Sequence, residues 1–147
     1  MSTRANRLQP AADQARQRSE EAVQKLAEQQ QALAKAERQL SELRGYRQEY
    51  AVEAGGGMSV SALLNRQQFV ERIDRAIAQQ LHEIERQRRM LEHARGQWRE
   101  AHAREAALDS VIDRYREQER KSEERREQGE IDERMQHRRP ARPERQP

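Results

Sequence analysis

Residues 40–77, LSELRGYRQEYAVEAGGGMSVSALLNRQQFVERIDRAI, set three consecutive glycines, Gly55, Gly56 and Gly57, between two runs of helical periodicity. Before the glycines, apolar or small residues recur at 3,4 spacing: Ala12, Ala15, Ser19, Ala22, Leu26, Gln29, Leu33, Ala36, Leu40, Leu43, Arg47 and Tyr50. After them the spacing resumes with Val70, Ile73, Ile77, Gln80, Ile84, Gln87, Leu91, Ala94, Trp98 and Ala101. Such spacing lays one stripe along each helix, and two stripes bury each other in a single seam. The glycines permit the reversal that brings the stripes together. The fold class expected is all-α, an antiparallel two-helix coiled-coil hairpin. Folding at the glycines predicts a register in which facing residue numbers sum to 113. That register sets Ala15 on Trp98, Ala22 on Leu91, Leu26 on Gln87, Ala36 on Ile77 and Leu40 on Ile73, so large side chains mostly meet small or polar ones.

Composition agrees with a seam and excludes an ordinary globule. The 147 residues are 33% hydrophobic and 37% charged, with five aromatics: Tyr46, Tyr50, Phe69, Trp98 and Tyr115. That is too little apolar material to enclose a three-dimensional core, yet enough for two positions in seven. The net charge of +3 is misleading about nucleic acid. Residues 134–147 hold five arginines against one glutamate, a tail of +4, so residues 1–133 sum to −1. Along the helices the signs alternate, as on a solvated coiled-coil surface. There is no cysteine, hence no disulfide chemistry. No stretch is apolar enough for a signal peptide or membrane span, so an intracellular soluble protein without an integral membrane segment is expected.

Residues 1–9 read as a flexible N-terminus, with Pro10 at the first helical position, where its missing N–H costs nothing. The hairpin then covers residues 10–137: helix 1 over about 10–52, a turn over 53–60 and helix 2 over about 61–137. Ser59 or Ser61 is placed to cap the second helix. Helix 2 would measure roughly 115 Å at about 1.5 Å per residue, much longer than helix 1, and its C-terminal part is expected to overhang. Gly45 is a weak point of helix 1, costing about 1 kcal/mol relative to alanine. Residues 138–147 form an Arg/Pro tail expected to be disordered.

No catalytic constellation is present. His82, His93, His102 and His137 lack partners at metal-ligand spacing, and the carboxylates sit on exposed faces where nothing raises a pKa for acid–base work. The glycines have neither a following lysine nor a preceding strand, so they are a turn and not a phosphate loop. A two-helix rod has no concave pocket. The protein is read as a non-enzyme without cofactor or metal.

Function therefore falls to surfaces the seam leaves over. With the seam as a and d, Gln39 and Tyr46 in helix 1 and Phe69 and Ala76 in helix 2 take g positions. Antiparallel pairing puts both g rows on one edge, which gathers Tyr46 and Phe69 with Tyr50 close by. The opposite edge carries Glu37, Arg44, Asp74 and Leu81. The g-edge rings either widen the core or form a docking patch with aromatic anchors. Further along, Leu108, Ile112 and Tyr115 continue the stripe on helix 2 where helix 1 has run out. Either residues 1–9 fold back over that stripe or a partner helix or ring covers it.

Leu43, Tyr46, Glu49 and Tyr50 before the turn resemble the FliJ family of flagellar export proteins. So do Asn65, Gln67, Phe69, Ile73, Ala76, Ile77 and Gln80 after it, with Trp98 and the Asp132–Glu133 pair. The resemblance covers most of the chain and is most specific over residues 43–80. It implies a soluble cytoplasmic component of the flagellar type III export apparatus, peripherally associated with the inner membrane. It also implies an antiparallel coiled coil similar to the rotor stalk of rotary ATPases. The partners implied are the hexameric export ATPase, the cytoplasmic domain of the export gate and export chaperones, with no nucleic acid. Carried onto this chain, the gate-facing surface would use Gln39, Leu43, Tyr46, Tyr50, Phe69, Ile73, Ala76 and Gln80. The ATPase-facing stripe would be Leu108, Ile112 and Tyr115. A rival is a prefoldin-like holdase gripping unfolded chains through Met58, Val60, Leu63 and Leu64 at the hairpin tip. A second is nucleic-acid binding through the tail, whose electrostatic affinity would fall steeply with salt.

Overall fold

The computed structural model describes residues 3–52 and 57–138. Two helices account for nearly all of them: α1, Arg4–Val52, and α2, Val60–His137. Ala, Glu, Arg and Gln, which lose little rotamer freedom in a helix, dominate both. Long helices of this kind draw their stability from burying a stripe, and the half-buried and buried positions follow the 3,4 spacing along both helices. There is no strand among the described residues.

α1 begins six residues before Pro10, the predicted first residue, and carries that proline inside the helix. Its start is fixed by Thr3, whose Oγ1 accepts from the Asn6 amide at 3.1 Å, the usual N-cap geometry. Burial of Ala5 and half-burial of Leu8 offset the donor that Pro10 lacks. α2 is capped by Ser59, whose Oγ accepts from the Ala62 amide at 3.2 Å. Gly57 has φ of +112°, a conformation open to glycine and strained for other residues. Gly55 and Gly56 lie outside the described residues, as do residues 139–147 of the predicted tail. Gly45 has nothing within 4 Å of an added Cβ, so close packing does not explain it.

The chain divides into two compact units. One is the hairpin of residues 16–103, whose cluster joins Ala36, Leu40 and Ile84 with Leu33 and Ile77. The other pairs residues up to Ala15 with those from Arg104 onward. Its cluster joins Ala5, Ala12 and Ile112 with Leu8, Leu108 and Tyr115. The part of α2 just past residue 103, expected to overhang, is thus packed through Glu119, and residues 120–138 are exposed.

The register within the hairpin differs from the predicted one. Gln29 Nε2 donates to the Gln87 carbonyl at 3.4 Å, Gln80 Nε2 to the Ala36 carbonyl at 2.8 Å, and Arg66 Nε to the Tyr50 carbonyl at 3.0 Å. Each pair sums to 116, not 113, a slide of three residues or ~4.5 Å along the axis. The reason is polar satisfaction. The predicted register sets Gln87 against Leu26 and Gln80 against Leu33, stranding both amides on hydrocarbon, which costs about 1–3 kcal/mol per group. In the observed one Gln29 and Gln87 also bond side chain to side chain, and no buried side-chain polar atom among the described residues lacks a partner.

Candidate partner-binding surfaces

The turn-proximal edge is built from two turns of α1 and the first turns of α2. Tyr46 and Tyr50 are four residues apart and share a face of α1. Phe69 packs its ring against Tyr50 at 4.7 Å between centroids, tilted by 35°. Tyr50 is half-buried, and the guanidinium carbon of Arg66 lies 5.3 Å from its ring centre. Tyr46 remains 54% exposed and Phe69 42%. An aromatic pair locked to the scaffold, with two rings presented to solvent, is the composition of a binding anchor.

The remaining residues predicted for this edge divide between surface and seam. Gln39 is exposed and accepts from Gln80 Nε2 at 3.2 Å, so the two amides bridge the helices on one side. Leu43 and Ala76 are half-buried. Ile73 is 6% exposed and belongs to the seam, where no partner reaches it. The surface open to contact is therefore Gln39, Tyr46 and Phe69, flanked by Leu43, Tyr50, Ala76 and Gln80. Asp74 takes the Arg47 Nε at 2.8 Å. Both groups are solvent-screened, so the pair orients side chains more than it stabilises.

The opposite edge carries a shallow groove of about 750 Å³ with Leu40, Leu81 and Ile84 in its floor. Glu37, Arg44, Glu85 and Arg88 stand around it, and Arg88 reaches Glu37 at 3.8 Å. Its rim is mixed in sign and selects no ligand charge.

The second predicted surface, Leu108, Ile112 and Tyr115, is closed. Ile112 is 3% exposed against Ala5 and Ala12, with Leu8, Leu108 and Tyr115 packed around it. The Arg4 guanidinium lies over the Tyr115 ring at 5.8 Å, and Arg116 donates to Gln9 at 2.9 Å. Of the two coverings the spacing allowed, the chain's own N-terminal turns are the one observed. These turns bring little apolar bulk to the stripe, only Ala5, Leu8 and Ala12. On a helix, however, alanine lets a partner backbone approach closely.

At the tip, Met58, Val60, Leu63 and Leu64 are all exposed, Val60 at 74%. Histidines stay dispersed: no group of three His, Asp or Glu residues among those described could hold a metal ion. Trp98 and His102 stack at 5.1 Å between ring centres, which is a packing contact on one helix. No helix of the described residues is long and apolar enough to cross a membrane.

Two carboxylates are shifted by local ion pairs. Glu83 is held down to about 2 because Arg86 and then Gln87 donate to its carboxylate. Glu117 is lowered in the same way by Arg120. Both carboxylates stay charged at neutral pH and are pairing groups, not acid–base catalysts.

The family model of the flagellar FliJ protein matches residues 4–144. No curated protein matches the chain.

Proposed function

The chain belongs to the FliJ family of flagellar proteins, non-enzymatic components of flagellar export, and on that premise we propose that it links three partners. These are the hexameric export ATPase, the cytoplasmic domain of the export gate and the export chaperones. It works in the cytoplasm, held peripherally at the inner membrane through the export apparatus. The gate docks on the turn-proximal edge, with Tyr46 and Phe69 as anchors and Gln39 and Gln80 as polar neighbours. The observation that carries this reading is the exposure of Tyr46 and of Phe69, the latter locked against Tyr50. Buried Ile73 and half-buried Leu43 support the edge from beneath. The ATPase engages the other unit, where Leu108, Ile112 and Tyr115 pack against Ala5, Leu8 and Ala12.

The test is a titration of the isolated gate domain against Tyr46→Ala and Phe69→Ala. Each is expected to weaken binding by about 5- to 150-fold, the range of an interface anchor of roughly 1–3 kcal/mol. Gate affinity unchanged in both variants removes the edge as the docking site.

A second reading rests on the exposed tip. Met58, Val60, Leu63 and Leu64 present apolar surface of the kind a holdase uses. Suppression of light scattering from an unrelated aggregating protein, lost in Leu63→Ser with Leu64→Ser, favours that chaperone activity. Absence of suppression by the unaltered protein removes it.

A further inference from the structure

The cover over Ile112 is weakly built. Residues 4–12 of α1 bury only alanines fully, Ala5 and Ala12, with Leu8 partly buried between them. Pro10 sits inside this short segment. It cannot donate to the Asn6 carbonyl, and its ring crowds that turn. The turns before Pro10 are tied down by a few contacts at their edge. The Ala5 amide donates to Glu119 Oε1 at 3.4 Å, Arg4 lies over Tyr115, and Gln9 takes Arg116. Glu119 thereby supplies from α2 the negative charge that the first turn of α1 lacks. Beneath the cover lies the denser apolar surface, Leu108, Ile112 and Tyr115, on a helix that continues without interruption.

We propose that residues 4–12 are a detachable latch, and that its opening exposes Leu108, Ile112 and Tyr115 as a docking stripe for a helix of the export ATPase. The contacts of the closed state define what can replace the latch. The incoming segment is a helix with small residues seven apart to receive Ile112. Its N-terminus meets Glu119, and a cationic side chain covers Tyr115. Pro10 keeps the closed state marginal, so a partner helix without an internal proline competes with advantage. The identity of the partner rests on the function proposed above; the latch itself rests on the packing of residues 4–12.

The chain has no cysteine, so a single engineered pair reports on the latch. Gln9→Cys with Arg116→Cys, joined by a bis-maleimide with a reducible spacer, bridges two side chains that meet beside the stripe and leaves Leu108, Ile112 and Tyr115 unaltered. Bridged, the pair locks the cover; with the spacer reduced, it restores movement. ATPase affinity is expected to fall at least 10-fold on bridging, to recover on reduction, and to rise about 3- to 10-fold in Arg4→Ala, which removes a contact of the latch alone. Equal affinity in bridged and reduced forms overturns the docking role of the stripe. Hydrogen exchange of the unaltered protein tests the latch without any partner. The amides of residues 8, 9, 11 and 12 are expected to exchange at least 100-fold faster than amides 29–40, and equal protection overturns the latch. Fast exchange with no ATPase binding by any form leaves the latch standing and rejects the proposed partner.

Discussion

The residues that set the pairing are polar ones. Gln29 and Gln87 bond to each other, Gln87 also donates to Glu83 at 2.8 Å, and Glu83 takes Arg86. Replacing Gln29 by Leu strips Gln87 of its cross-helix partner and is expected to cost about 1 kcal/mol in urea unfolding. Gln29→Leu with Gln87→Leu is expected to recover that loss while relaxing the register, because a polar seam pair specifies alignment at a cost in stability. A double variant less stable than the single one contradicts this account. Glu83 gives a pH signature. Its folded pKa lies near 2, below the ordinary 4.5, so its contribution is present above about pH 4.5 and is lost as pH falls toward 2. Glu83→Gln is expected to flatten the acid limb of stability over that window and leave pH 6–8 unchanged. Gly45, with open space where a Cβ would stand, predicts the reverse of most substitutions: Gly45→Ala should stabilise by about 0.5–1 kcal/mol, read as a higher melting temperature.

At the scale of the elements, the register is the property most open to measurement. Cysteines at 29 and 87 are expected to cross-link readily under mild oxidation, and cysteines at 26 and 87, facing in the predicted register, to cross-link slowly. The reverse order restores the sum of 113. Helix ends are equally specific. Ser59→Ala removes the cap on α2 and is expected to cost about 1 kcal/mol, a loss that Ser61, exposed two residues further on and inside the helix, does not replace. Pro10 does not mark the start of α1. Proline favours a first-turn position, but Thr3 caps earlier and Ala5 and Leu8 find a partner stripe on α2, so tertiary burial extends the helix through the proline.

At the scale of the whole molecule, two units each carry their own apolar cluster, and the function proposed assigns them different partners. Ile112→Asp buries a charge without a partner and is expected to destabilise by about 3–5 kcal/mol, with loss of ATPase binding. Tyr46→Ala should change stability by less than about 1 kcal/mol, because its ring is mostly in solvent, while weakening the gate contact. Circular dichroism melts beside both affinities separate the two effects. Loss of both partners in one variant of either kind contradicts separate sites. What the sequence by itself determined is the helical hairpin, the family likeness over residues 43–80 and the aromatic edge, because 3,4 spacing, a glycine turn and exposed ring positions are local facts written in one dimension. The tertiary structure decided the slide from 113 to 116 and the closure of Leu108, Ile112 and Tyr115 by residues 4–12. Each depends on which of several near-equivalent stripe alignments satisfies its polar side chains. That competition is settled between helices, not within them.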